Sequence, residues 1–190
     1  MAILSTVRLS WISWRQRLAA AALLLATTAG SAETTPEYKI KAVFLFNFAQ
    51  FVDWPADALG AADAPLVIGV LGEDPFATAL DDTVRNETVK SRKLVVRRFQ
   101  RVEDIGPCHI LFIAHSEAER IDQIIAALRG RSILTVSDIT GSAQRGVMIR
   151  FMTEKNRIRL RINLEAAKAV HLVLSSKLLR PAEIVTTQPN

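Results

Sequence analysis

Three histidines, one cysteine and 19 carboxylates are the side chains of this 190-residue sequence with the most chemistry in them. Hydrolysis by a nucleophilic serine needs a base that reaches the hydroxyl and a third group that orients the base. His115 and Ser116 are neighbours in sequence, and adjacency does not build that arrangement. Ser116-Glu-Ala-Glu119 has instead the spacing of a helix capping box. Hydrolase chemistry thus survives only as a distant option, because a Ser, a His and an Asp each fall near strand ends. His109, His115 and His171 have no metal-ligand spacing to acids or to Cys108. Gly141 to Gly146 has the outer spacing of a phosphate loop, but Val147 and Met148 stand where its Lys and hydroxyl belong. No G-x-S-x-G, H-E-x-x-H or G-x-G-x-x-G motif is present. The expectation is a protein without catalytic residues, metal or cofactor.

Two groups of residues could bind rather than react. Glu73 and Asp74 follow one apolar run, and Ser137 and Asp138 end another, so a shared crevice at strand ends could take a small ligand. Arg150, Arg157, Arg159 and Arg161 recur at alternate positions and make a basic stripe. That stripe could meet an anionic surface or an acidic protein patch, although a solvated face that keeps a sheet soluble is the plainer reading. No aromatic residues alternate with these arginines, which argues against nucleic acid.

The elements that must position these groups follow from periodicity. Tyr38 to Trp54, stopped by Pro55, reads as a helix whose polar arc is Lys39, Asn47, Gln50 and Asp53. The rest of it is apolar, interrupted only by Lys41. So wide an apolar face exceeds that of a surface helix, and core packing on several sides is preferred to a protein interface. Leu66–Leu71, Lys93–Phe99, Ile110–Ala114 and Ser132–Val136 read as strands, the first and third continuously apolar as in sheets covered on both faces. Phe76–Leu80 reads as a short helix. Ile121, Ile124, Ile125 and Leu128 form an amphipathic helix, with Gly130 just past its end. Val147–Met152 and Arg157–Ile162 alternate as a hairpin around Thr153–Asn156. Asn163 can cap a helix through Ala166, Ala167 and Val170, and an apolar segment runs from Leu172 to Leu179. Strands alternating with helices, then a hairpin, predict an α/β three-layer sandwich: a mixed, mostly parallel sheet with a C-terminal antiparallel hairpin and helices on both faces.

Residues 1–32 contain Arg8, Arg15 and Arg17 and no acid, then the run Leu18–Ala26, then Thr27-Thr-Ala-Gly-Ser-Ala32. This is the layout of a cleaved secretory signal. The apolar run is well short of the ~20 residues a membrane span needs. Cleavage after Ala32, with Ala29 as the alternative, takes the formal charge from +5 to +2. The expectation is an exported protein, 33–190 forming a single domain that is not inserted in the membrane. A single cysteine excludes an internal disulfide, and Cys108 beside an apolar strand reads as a buried thiol.

Several segments, in order, carry a resemblance. They are Lys41–Pro55, Val70-Leu-Gly-Glu-Asp-Pro-Phe76, Cys108-His-Ile-Leu-Phe-Ile113, Leu134-Thr-Val-Ser-Asp138, Gly146-Val-Met-Ile-Arg-Phe151, Ile162-Asn163 and Leu174-Ser-Ser-Lys-Leu-Leu179. Together they resemble the YfiR-like family over residues 38–180. The resemblance implies a periplasmic repressor that holds an inner-membrane diguanylate cyclase inactive and so limits cyclic-di-GMP signalling and biofilm formation. It also implies an outer-membrane lipoprotein as a further partner, and members of the family can form homodimers. It implies no enzymatic activity. Many members carry a Cys at the position of Gly69, suited to pair with the one matching Cys108; here that partner is missing, and so is a second pair near Phe151. Redox control is therefore not carried over. The alternative function is a periplasmic small-ligand receptor using the crevice near Glu73, Asp74, Ser137 and Asp138.

Overall fold

The computed structural model describes residues 34–187; the expected signal segment lies outside them. Helix α1 (Pro36–Phe51) opens on a proline, whose missing N–H has no helical partner in the first turn anyway. Glu37 complements the helix dipole there. The helix ends three residues before Trp54, because Val52–Asp53 (β1) is extended and pairs antiparallel with Leu174 and Val173.

Eight further strands form one sheet. In chain order they are β2 (Leu66–Leu71), β3 (Thr88–Val89), β4 (Arg92–Phe99), β5 (Ile110–Ile113), β6 (Leu134–Ser137), β7 (Ile149–Glu154), β8 (Arg157–Asn163) and β10 (Glu183–Val185), with β9 (Val173–Leu174) pairing β1. Their spatial order is β10-β8-β7-β6-β5-β2-β4-β3. The central pairs β4/β2, β2/β5, β5/β6 and β6/β7 are parallel, whereas β7/β8 and β3/β4 are antiparallel. This is the mixed, mostly parallel α/β sheet that the alternation of elements predicts. The added strand β10 is the part that the apolar pattern did not reveal: Glu183–Val185 is short, exposed at two positions and parallel to β8.

Both faces of the central strands are buried, so β2 and β5 are continuously apolar, and the alternating Thr135 and Ser137 of β6 are buried with hydrogen-bond partners. Leu66, Ile68, Val70, Ile110, Phe112 and Val136 pack into one core with residues of α1 and α2 (Ala79–Val84). Leu71, Leu111 and Ile113 pack into a second with Ile121, Ile124 and Leu128 on and just after α3 (Ile121–Ala127). Phe48 stacks on Phe151 at 5.8 Å and Phe44 meets the same ring edge-on, seating α1 on β7.

Local expectations fail where a distant partner competes. The predicted helix at Phe76–Leu80 begins only at Ala79, because Phe76 is an anchor: its ring is fully buried, 4.8 Å from that of Phe112. Ser116 forms no capping box. Residues His115–Arg120 make a 3₁₀ helix without a side-chain cap, and Ser116 Oγ accepts the Glu73 N–H at 3.0 Å. The polar arc of α1 is incomplete, since Ile40 and Val43 are about half exposed while Lys41 is buried. The hairpin turn narrows to Lys155 and Asn156, with φ of 48° and 59°, the left-handed pair of a type I′ turn. Asn163 does cap α4 (Leu164–Ala169), its Oδ1 accepting from Ala166 N at 3.0 Å. A last short helix, α5 (Ser176–Leu179), is capped by Ser175.

Candidate functional site

In sheets of this kind the default ligand crevice lies at the strands' carboxyl ends, where the strand order reverses. Here β4 and β5 flank β2 on opposite sides, so that point is the end of β2 beside β5. It is filled. Gly72 sits at φ 89°, and a Cβ there would collide with Ser116 Oγ and with the buried Glu117 side chain. Only glycine fits this close approach.

The groups expected at the strand ends separate into two places. Glu73 is exposed and contributes its backbone N–H to Ser116. Asp74 accepts from Phe76 N at 2.7 Å and from Arg98 Nε at 2.7 Å, so it closes a turn and holds one arm of an exposed ion cluster. Asp81 holds the other arm, and the Arg98 guanidinium keeps its carboxyl below the usual range. Ser137 is fully buried; its hydroxyl donates to Ile113 O and accepts from Ile139 N. Strands β2 and β6 are two places apart in the sheet, about 10 Å.

Asp138 belongs to a second, nearly dry cluster. Its Oδ2 accepts from Tyr38 Oη at 2.7 Å and from Lys41 Nζ at 2.6 Å. Lys41 also pairs with Glu37 at 2.7 Å, one helical turn back, and lies 4.2 Å from the Tyr38 ring centre. The Lys41 side chain is 3% exposed and that of Asp138 11%. Burying a lysine is tolerable only with such partners. The Lys41 bond keeps the Glu37 carboxyl below its usual range. Burial, with the Asp138 charge beside it, pushes the Tyr38 hydroxyl well up. Together these bonds tie the first half of α1 to the end of β6, 97 residues away.

The basic stripe also divides. In the β7–β8 register Arg150 faces Arg161, Met152 faces Arg159 and Glu154 faces Arg157. Arg157 and Arg159 are exposed, whereas Arg150 and Arg161 are half-buried. Those two join Lys41, His115, Asp138 and Thr140 along one open groove of about 690 Å³. Sequence reasoning placed Asp138 and the arginines in separate groups. Lys41, the one charge interrupting an apolar helix, was the signal that a buried counterion had to exist.

On the opposite sheet face, Cys108 is buried and free, its thiol pushed up to about 12 by burial. A Cβ on Gly69 of β2 would lie 2.9 Å from Sγ of Cys108, two residues before β5, so these two positions are neighbours. His109 is buried too, its Nδ1 accepting from Val67 N at 3.0 Å; burial holds its imidazole below the ordinary value.

Among the described residues, no group of three or more His, Cys, Asp or Glu side chains could hold a metal ion, and no helix is long and apolar enough to cross a membrane. A family model described as YfiR/HmsC-like matches residues 38–183, from Tyr38 of the buried cluster to Glu183 beside Arg161. The chain belongs to the YfiR/HmsC-like family. This is a regulatory, non-catalytic family known for periplasmic control of diguanylate cyclases. No curated protein matches the chain. For this YfiR/HmsC-like chain, the matched span contains every element from α1 through α5 except the first two residues of α1.

Proposed function

We propose that this chain is exported to the periplasm by its N-terminal signal and there inhibits an inner-membrane diguanylate cyclase. The observation that carries the reading is the family match over 38–183. The basic, apolar and small-residue regions of 1–32 support export. Binding is the expected mode, and a few exposed apolar anchors usually carry protein–protein affinity. Ile40 and Val43, exposed on α1 at 51% and 47%, are the anchors this reading offers. A lipoprotein that sequesters the chain, and self-association, are further parts of the proposal.

The test is a deletion strain together with the purified mature chain. Deletion should raise cyclic-di-GMP and surface attachment, and the mature chain should bind the periplasmic domain of a cyclase encoded beside it. Ile40→Asp with Val43→Asp should weaken that binding while leaving the fold intact by circular dichroism. Unchanged cyclic-di-GMP in the deletion strain, with no binding to the cyclase domain, would overturn the proposal.

A further inference from the structure

The groove at the end of β6 holds one donor and one acceptor that nothing among the described residues satisfies. Arg150 and Arg161 stand directly opposite each other on one face of the hairpin, an unfavourable placement for like charges. Arg161 is offset by Glu183, whose Oε2 is 2.7 Å from its Nε. Arg150 has no carboxylate in salt-bridge contact among the described residues; it reaches Thr140 Oγ1 at 3.2 Å. Its Nε is buried without a hydrogen-bond partner among those residues. Beside it, one residue past the Ser137 that pairs with Arg150, Asp138 Oδ2 carries both Tyr38 and Lys41, yet Asp138 Oδ1 is likewise buried and without a partner among the described residues. Both residues line the same groove. Buried donors and acceptors are normally satisfied, and a charged one left unmade is costly. A chain that satisfied Lys41 from three sides leaves this complementary pair covered but unpaired in the groove wall, where a small turn of either side chain would bring it to a ligand.

We propose that the groove binds a small carboxylate that bears a hydrogen-bond donor, a hydroxyl or an ammonium, on the adjacent carbon. Its oxyanion lies against Arg150 with Arg161 behind it, and its donor meets Asp138 Oδ1. The guanidinium fork suits a planar carboxylate. The anion offsets the unpaired cation of the facing arginines. Burial and the nearby Arg161 already hold the Arg150 guanidinium below its ordinary value, so an incoming negative charge is favoured there. Glu73, Asp74 and Ser137 take no part: Glu73 is exposed and Asp74 is engaged with Phe76 and Arg98 at the end of β2, and the Ser137 hydroxyl is engaged with Ile113 and Ile139. This site stands apart from cyclase inhibition, so failure of one leaves the other intact.

Propionate, lactate and alanine share one carbon skeleton and differ in the donor beside the carboxylate, so they separate the two halves of the idea. Each is titrated at constant ionic strength into the isotopically labelled mature chain. The readout is the Arg150 Nε–Hε signal with the backbone amides of Thr140 and Arg150. Lactate or alanine should shift these signals saturably at millimolar concentration, with propionate at least about fivefold weaker. Arg150→Gln should abolish the shifts. If that variant loses its amide dispersion, Arg150→Lys, which keeps the charge without the Nε–H, should weaken binding about fivefold or more. Absence of saturable shifts with all three probes overturns the site. So does binding that survives Arg150→Gln in a folded chain, or that Arg150→Lys leaves unweakened. Propionate equal to lactate and alanine overturns the role of Asp138 and with it the proposed ligand class.

Discussion

At the end of β2, Arg98 lies between Asp74 and Asp81; at the end of β6, Lys41 lies between Glu37 and Asp138. Each is one cation flanked by two carboxylates. Arg98 is 38% exposed, Lys41 3%. Water screens the first, so each of its pairs contributes little. In the second, Glu37 is 40% exposed but Lys41 and Asp138 are largely dry, and these two depend on one another, because removing one leaves the other uncompensated in a medium of low dielectric. The difference also separates their roles. The β2 cluster closes a turn within 24 residues of sequence. The β6 cluster joins the first helix to the end of β6 and lines the groove.

Four experiments would break or sharpen that contrast, beginning with the largest effect. Lys41→Ala should cost about 3–5 kcal/mol in urea unfolding, since it strands the Asp138 carboxylate. Lys41→Met combined with Asp138→Leu should recover most of that loss. A Lys41→Ala loss below about 1 kcal/mol would show that the buried cluster behaves like the exposed one.

Acid comes next, because it acts on both clusters and on a site in neither. His109 has a depressed folded pKa, so the unfolded chain binds its proton more readily. Its contribution to stability is fully present above the ordinary value near 6.5 and is lost as pH falls below it. The unfolding midpoint should therefore drop between about pH 7 and 5.5, above the range in which Glu37 and Asp81 titrate, with the His109 ring protons titrating late. A flat midpoint in that window would remove His109 from the account.

Glu37 and Asp81 supply the corresponding test at lower pH, one from each cluster. Both folded pKa values are lowered. Their stabilisation is present above the ordinary values of 4.5 and 3.8 and is lost as pH falls through the folded ones. Glu37→Gln and Asp81→Asn should each flatten the decline below about pH 4.5, measured as unfolding free energy against pH.

The smallest effect belongs to Arg98→Ala, about 0.2–1 kcal/mol for each pair broken. Adding 0.5 M salt, a Debye length of roughly 4 Å, should shrink it further and leave the Lys41→Ala loss nearly unchanged. An equal salt response at both sites would erase the distinction between them.

The sequence was most legible where the signal is local. Two unbroken apolar runs declare strands covered on both faces, because β2 and β5 have no solvent side to which a polar residue could point. Alternation through Arg157–Ile162 declares a one-sided hairpin strand, and Asn163 declares a helix start three residues before the N–H that it caps. Family membership was legible for a related reason: its signature segments are short and lie in order along the chain.

The site was legible only in pieces. Asp138, Arg150 and Arg161 were visible as polar residues at strand ends and on a stripe, but their meeting in one groove depends on which strands are neighbours. Ser116 had a complete local capping signal and lost it to a backbone N–H 43 residues away. Periodicity tells a residue which face of its own element it occupies. It does not tell what lies across that face. The chain's own pattern thus determined its elements, its two-sided sheet and its family. Packing alone decided that Lys41 would be buried against Asp138 and that Arg150 would be left facing the groove, because burial and pairing arise from residues about a hundred positions apart.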